Sequence, residues 1–241
     1  MADVLPGESG RAFGLLMARG GSKRVPGKNA RLFAGKPMLV WPLSAMCESG
    51  LFERIIVSSD DGEILRLAVA EGAEAPFVRP PELADDHATT MDVVRHAAEF
   101  LAANGESFSS ICCVYGTSAF LTPEHVRQSR RLLEDADMVM AAVRFGHPVQ
   151  RGFTITDDTP VFPATMMSRT QDLAPYYHDA GLLYWVRRES ILSGVLDDYS
   201  KARVKAFIVP YGTVCDIDDP EDWETAERLF AARRRLAGEG V

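Results

Sequence analysis

Along the chain, short apolar runs alternate with longer stretches whose apolar residues recur at helical spacing. "AFGLLMA" (12–18), "RIIVSS" (54–59), "APFV" (75–78), "SICCVYG" (110–116), "MVMAAVRF" (138–145), "GLLYWV" (181–186) and "VKAFIVP" (204–210) are four to eight residues long. Runs this short and this continuously apolar predict strands covered on both faces. Helices are predicted between them, over 37–50, 61–72, 90–103, 122–135 and 220–236. In 61–72, Ile64, Leu65, Ala68 and Val69 share one face, and Gly72 suits the stop. The stretch 122–135 opens with Thr122, Pro123 and Glu124, the order expected of a cap and first turn. Strand and helix in alternation predict an α/β fold: a mostly parallel sheet with helices on both faces.

The rhythm stops after Phe145. From His147 to His178 the chain is rich in Pro, Thr, Asp and aromatic residues and shows no helical pattern. A plain loop of that length is uncommon in a compact domain. The expectation is one domain over 1–241 with an inserted arm at 146–180 and a disordered start at 1–11. The arm carries aromatics such as Phe153, Phe162 and Tyr176. We expect it to cross to a second subunit in a twofold homodimer.

Charge and composition narrow the partners. The net charge is −8, from 26 basic and 34 acidic residues. A surface of that sign suits neither nucleic acid nor anionic membrane. No run reaches the ~18 apolar residues of a transmembrane helix, and "MADVLPGESGR" at the start has no apolar signal-peptide core. Cys47, Cys112, Cys113 and Cys215 show no metal-ligand spacing, and the Cys112–Cys113 pair sits inside an apolar run. Buried, reduced cysteines are expected, which points to a cytoplasmic protein.

Against this acidic background, the stretch "LLMARGGSKRVPGKN" (15–29) gathers Arg19, Lys23, Arg24 and Lys28 around Gly20, Gly21 and Ser22. It leaves the end of the first strand, where open α/β sheets bind ligands. Glycines let the backbone come close to a ligand, and the four cations suit a polyphosphate. The spacing is neither that of a Walker A loop nor G-x-G-x-x-G. Further on, Asp216 and Asp218 stand two apart in an extended stretch, so both carboxylates can face one side. They suit either Mg²⁺ or a helix cap, but Asp219, Pro220 and Asp222 already supply a cap and first turn.

The string "ARGGSKRVPGKN" resembles the signature of the sialic-acid-type (acylneuraminate) cytidylyltransferases. The likeness continues through "GKPMLVWPLSAMCESGLFERIIVSSDD" (35–61), "VRPPELADDHATT" (78–90) and "DIDDPEDW" (216–223). Within that family, "QR" (150–151), "RTQDL" (169–173) and "YYHDAGLLYW" (176–185) are most similar to the enzymes acting on pseudaminic acid. The chain departs from them at Leu182, where they usually carry Gln, and around Tyr115. The resemblance implies a Rossmann-like sheet with a dimerisation arm. It also implies transfer of CMP from CTP to the anomeric hydroxyl of an acidic nine-carbon sugar, with release of pyrophosphate.

By that resemblance the nucleotide is held by Arg19, Gly20, Gly21, Ser22, Lys23, Lys28, Asn29, Arg79 and Thr90. Arg79 is placed near the cytosine base. The sugar side falls to Gln150, Arg151, Arg169, His178 and Asp179. Asp216 and Asp218 match the family's metal aspartates, so Mg²⁺ or Mn²⁺ is the implied cofactor. Arg19, Lys28, Asp216 and Asp218 are the expected catalytic set. Arg24 has no firm family role and is read as solvated. The alternatives are a cytidylyltransferase for legionaminic or N-acetylneuraminic acid, and a non-catalytic nucleotide-sugar-binding protein on the same fold.

Overall fold

Strand β1 (Ala12–Met17) is buried at every position, and the sheet is built around it. Ala12 and Leu16 pack into one core, while Phe13, Leu15 and Met17 pack into another on the opposite face. In this computed structural model, which describes residues 10–238, β1 pairs in parallel with β4 (Arg54–Ser58) and with β5 (Ser110–Tyr115). Two further strands, β6 (Met138–Arg144) and β10 (Val204–Val209), pair with each other in parallel. Between the two groups lies β9 (Tyr177–Arg187), antiparallel to both β5 and β6. The sheet order is β10-β6-β9-β5-β1-β4. Two small ribbons complete the strands: β2 (Leu32–Phe33) with β3 (Lys36–Pro37), and β7 (Thr154–Thr156) with β8 (Thr159–Val161) in the arm.

The helices divide between the faces as the apolar pattern requires. Helices α1 (Val40–Ser49), α2 (Gly62–Ala70) and α4 (Pro123–Arg131) contribute Leu43, Ile64 and Val126 to the first core. On the other face, α3 (Thr90–Ala103) and the short α5 (Arg188–Ser193) contribute Val94, Leu101 and Ile191. Helix α6 (Pro220–Leu236) lays Trp223 and Phe230 against Phe33 in a third cluster, with edge-to-face ring contacts. The expected α/β class, with a mostly parallel sheet and helices on both faces, is what the chain forms.

Several local expectations change. Residues 75–78 form no strand; a single bridge from Glu74 to Ile56 is all that joins the sheet there. Pro76 cannot donate to a ladder, which explains the failure. The arm ends earlier than expected, because His178, Asp179 and Ala180 belong to β9. Within it, the β7–β8 hairpin turns through Asp157 and Asp158, both at positive φ. Of the start expected to be disordered, residues 1–9 lie outside the described residues, while Arg11 is held by an ion pair with Glu53.

Candidate functional site

A cavity of about 340 Å³ opens where the loops after β1 and β5 meet the stretch before α6. That size is in the range of ligand pockets. Arg19, Lys28, Asn29, Arg79, Thr90, Asp216 and Asp218 all line it, brought together from four separate stretches of chain. Gly20, Gly21, Ser22 and Lys23 are not among its lining residues. The Gly20 N–H already donates to Asp60 Oδ1 at 3.0 Å, and the Ser22 hydroxyl is buried without a hydrogen-bond partner. Asp61 caps α2, accepting from the N–H groups of Glu63 and Ile64 at 2.7 and 3.2 Å.

The basic loop is folded by its own backbone. Gly27 takes a positive φ of 63°, and Ala30 and Arg31 N–H both donate to its carbonyl. This turn carries Lys28 inward. Its Nζ donates to the Ile217 carbonyl at 2.8 Å and stands 3.6 Å from Asp218. Asn29 is buried and donates from Nδ2 to the Arg19 carbonyl at 2.8 Å. Gly116 leaves it room: a Cβ there would fall 2.6 Å from Asn29 Oδ1. Arg24, read from sequence as solvated, is exposed and also pairs with Asp218 at 3.0 Å. Arg19 Nη1 donates to the Asp85 carbonyl at 2.9 Å and meets Asp86 at 2.8 Å.

Arg79 is buried rather than a surface charge. Its Nε donates to Ser58 Oγ at 3.0 Å and its Nη2 to the Ser58 carbonyl at 2.6 Å. Burial pushes its pKa down, against the pull of Asp60. On the neighbouring wall, Thr89 caps α3 with a capping box to Asp92, and this turns the Thr90 hydroxyl to Tyr115 Oη at 2.6 Å. Burial raises the Tyr115 phenol to about 12, so it stays neutral. Tyr115 meets Tyr184 edge to face, and Tyr184 donates to Asp179 Oδ2 at 2.5 Å.

The two carboxylates sit beside the loop cations, Asp218 within ion-pair distance of Arg24 and Lys28. Desolvation, then the like charge of Asp218, pushes the Asp216 carboxyl up from its ordinary value, while Lys28 opposes and Asp179 adds to the rise. Gly181, at a φ of +60°, backs onto Asp216: a Cβ there would stand 3.2 Å from its Cγ. Asp219 caps α6 through Glu221 and Asp222 N–H and shares a capping box with Asp222, so neither pocket aspartate is needed as a cap. Two converging carboxylates, one crowded by like charge, form an oxygen donor set that fits a hard divalent cation.

The residues expected on the sugar side are scattered. Asp179 lies near the cavity, where it also accepts from Gly181 N–H at 2.8 Å. His178 packs at a tilt against Phe145, with ring centroids 4.6 Å apart. The structure does not bring Gln150, Arg151 or Arg169 to the main cavity. Gln150 Nε2 donates to the Ala174 carbonyl and Arg151 Nε to the Met166 carbonyl within the arm. Arg169 is exposed before a short 3₁₀ turn. Sequence reasoning missed Asp86, whose contacts are purely tertiary, and Thr117 on the lining.

A cavity beyond the strand ends of an α/β sheet, lined by cations paired with carboxylates, defines a nucleotidyltransferase-like protein. The chain belongs to the cytidylyltransferase family, whose sequence model, described as "Cytidylyltransferase", matches residues 13–208. Asp216 and Asp218 fall just past that stretch. A pseudaminic acid cytidylyltransferase of Campylobacter jejuni is 35% identical over 228 residues, covering 92% of this chain and 97% of that one. A CMP-N,N'-diacetyllegionaminic acid synthase of Legionella pneumophila is 29% identical over 242 residues, covering 91% and 96%. The fold matches a solved CMP:2-keto-3-deoxy-manno-octonic acid synthetase complexed with CTP, with TM-score 0.68, 18% identity and coverage of 92% and 99%.

Proposed function

We propose that this enzyme transfers CMP from CTP to the anomeric hydroxyl of a nonulosonic acid of the pseudaminic type, releasing pyrophosphate. The observation that carries the reading is the cavity itself. It sets Arg19, Lys28 and buried Arg79 against Asp216 and Asp218, in a chain 35% identical over nearly its full length to a pseudaminic acid cytidylyltransferase. Arg79 and Asn29 hold the nucleoside end. Arg19 and Lys28 meet the phosphates and offset the charge that grows as pyrophosphate departs. Thr90, fixed by Tyr115, offers a hydroxyl to the same ligand.

Asp216 and Asp218 would hold Mg²⁺ or Mn²⁺, completed by phosphate and sugar oxygens. When bound, the metal supplies charge neutralisation and eases loss of the acceptor's proton. Asp179, close enough to raise the Asp216 carboxyl, is read here as a group facing the acceptor sugar. The arm exposes Phe153, Ile155, Phe162 and Met167. Such a patch suits a second copy of the chain, whose arm would carry Gln150, Arg151 and Arg169 towards this cavity.

A coupled pyrophosphate assay with CTP and a panel of pseudaminic, legionaminic and N-acetylneuraminic acids tests the reading. Turnover highest with pseudaminic acid is expected. Preference for another acid would reassign the sugar, and CTP binding without pyrophosphate release would make the chain a binding protein.

A further inference from the structure

The loop cations do not stand open to the cavity. Arg19 Nη1 meets Asp86 Oδ1 at 2.8 Å, and Lys23 Nζ meets Asp86 Oδ2 at 2.5 Å. A single carboxylate therefore bridges two cations, one oxygen to each, as two phosphate oxygens would. Its charge is secure: Lys23 first, and Arg19 after it, hold the Asp86 carboxyl down to about 2.

Nothing local requires Asp86 to be acidic. The turn it belongs to is closed by its neighbour, Asp85, which accepts from His87 N–H at 2.8 Å and Ala88 N–H at 2.9 Å. Nor does Arg19 depend on Asp86 for its position, because its Nη1 also reaches the carbonyls of Asp85 and Ala84. Lys23 is 81% exposed, a poor candidate for a structural strut. What the pair of contacts does achieve is to offset half the charge of the two cations nearest the loop glycines.

We propose that Asp86 is a stand-in anion for the pyrophosphate half of the nucleotide. It pairs Arg19 and Lys23 while their seat is empty, yields them to the β- and γ-phosphates of CTP, and competes for them as pyrophosphate leaves. The inference rests on the function proposed above. A triphosphate brings several charges where Asp86 brings one, so it displaces the carboxylate. Exposed ion pairs are individually weak, so the opposition amounts to roughly two- to tenfold in affinity. CMP, with only an α-phosphate, does not reach the pair and meets no such opposition.

The test is Asp86→Asn, which keeps size and hydrogen bonding and removes the charge. Calorimetry on the full chain with Mg²⁺ measures CTP, pyrophosphate and CMP separately. Binding of CTP and pyrophosphate should tighten about two- to tenfold, pyrophosphate should inhibit more strongly, and CMP should be unchanged. In a Lys23→Ala background the gain from Asp86→Asn should shrink. Equal or weaker pyrophosphate binding in the variant would make Asp86 a scaffold for the cations and overturn the inference while leaving the proposed function intact. Equal tightening of CMP would overturn it too, showing a diffuse charge effect. Wild-type protein that binds no CTP would bring down the proposed function itself, and the inference with it.

Discussion

Removing the Lys28 charge should slow turnover rather than merely weaken CTP binding. Lys28 is the cation the loop carries deepest: its side chain is 21% exposed, against 81% for Lys23 and 63% for Arg24. At an effective dielectric of about 20, a unit charge roughly 4 Å from a phosphate oxygen is worth about 4 kcal/mol. Part of that acts on the ground state. The part that matters for kcat is the charge added as the bond to pyrophosphate breaks. Loss of one such preorganised contact costs about 2.7–4 kcal/mol, or roughly 10²–10³ in rate. Lys28→Ala also leaves the Ile217 carbonyl without its donor, which costs about 1 kcal/mol of stability and leaves the chain folded. The assay is steady-state kinetics at saturating CTP and sugar, with Mg²⁺ titrated because Lys28 also faces Asp218. Lys28→Arg, which keeps the charge, should recover part of kcat. Arg24→Ala should change kcat by less than about fivefold, since it removes only an exposed pair with Asp218. If Lys28→Ala raised the KM for CTP and left kcat alone, the charge would act on binding and the catalytic assignment would be wrong.

Asp218→Asn should keep the fold and lose turnover across a wide range of Mg²⁺; near-normal activity at any Mg²⁺ concentration would remove Asp218 from the metal site. The arm should join two chains, so light scattering should show a dimer that Phe153→Asp with Phe162→Asp dissociates; a fully active monomer at micromolar concentration would refute the shared pocket. Far from the cavity, burial pushes His125 down to about 4, and its Nδ1 has no hydrogen-bond partner. Its folded pKa lies below its unfolded one, so the stability it confers is complete above about pH 6.5 and is lost as pH falls towards about 4. Urea denaturation should show a loss of up to about 2 kcal/mol between pH 7.5 and 5 that His125→Asn reduces; identical pH slopes in both proteins would contradict this.

What could be read from the sequence is what local pattern determines. Continuous apolar runs place β1, β5 and β6 because strands covered on both faces need no polar side, whereas β10, at the sheet edge, is apolar yet only partly covered. Thr122–Pro123 and Asp219–Pro220 place the starts of α4 and α6 because a cap and a proline act within a few residues of each other. Residues 75–78 show where local pattern fails: four apolar-leaning positions look like a strand, but Pro76 and the turn into Arg79 leave one bridge, at Glu74. The direction of β9 was equally out of reach. The apolar run at its centre, Gly181 to Val186, reads the same whether it runs with β5 or against it, and only the return path through the arm decides.

The site divides along the same line. Its components were visible where they cluster in sequence, in the loop from Arg19 to Asn29 and in the Asp216–Asp218 pair, because ligand chemistry calls for several like groups close together. How those groups are partnered was not visible. Asp86 meets Arg19 across 67 residues and Lys23 across 63. Lys28 reaches the Ile217 carbonyl across 189. A charge counted from composition is a formal quantity, and its effect depends on the counter-charge the fold brings to it. The loop holds four cations on paper. In the structure, Arg19 and Lys23 are answered by Asp86, and Arg24 and Lys28 by Asp218. A triphosphate would therefore enter a seat whose four positive charges are already half offset, and its affinity would be set by how much better than two carboxylates it serves those cations.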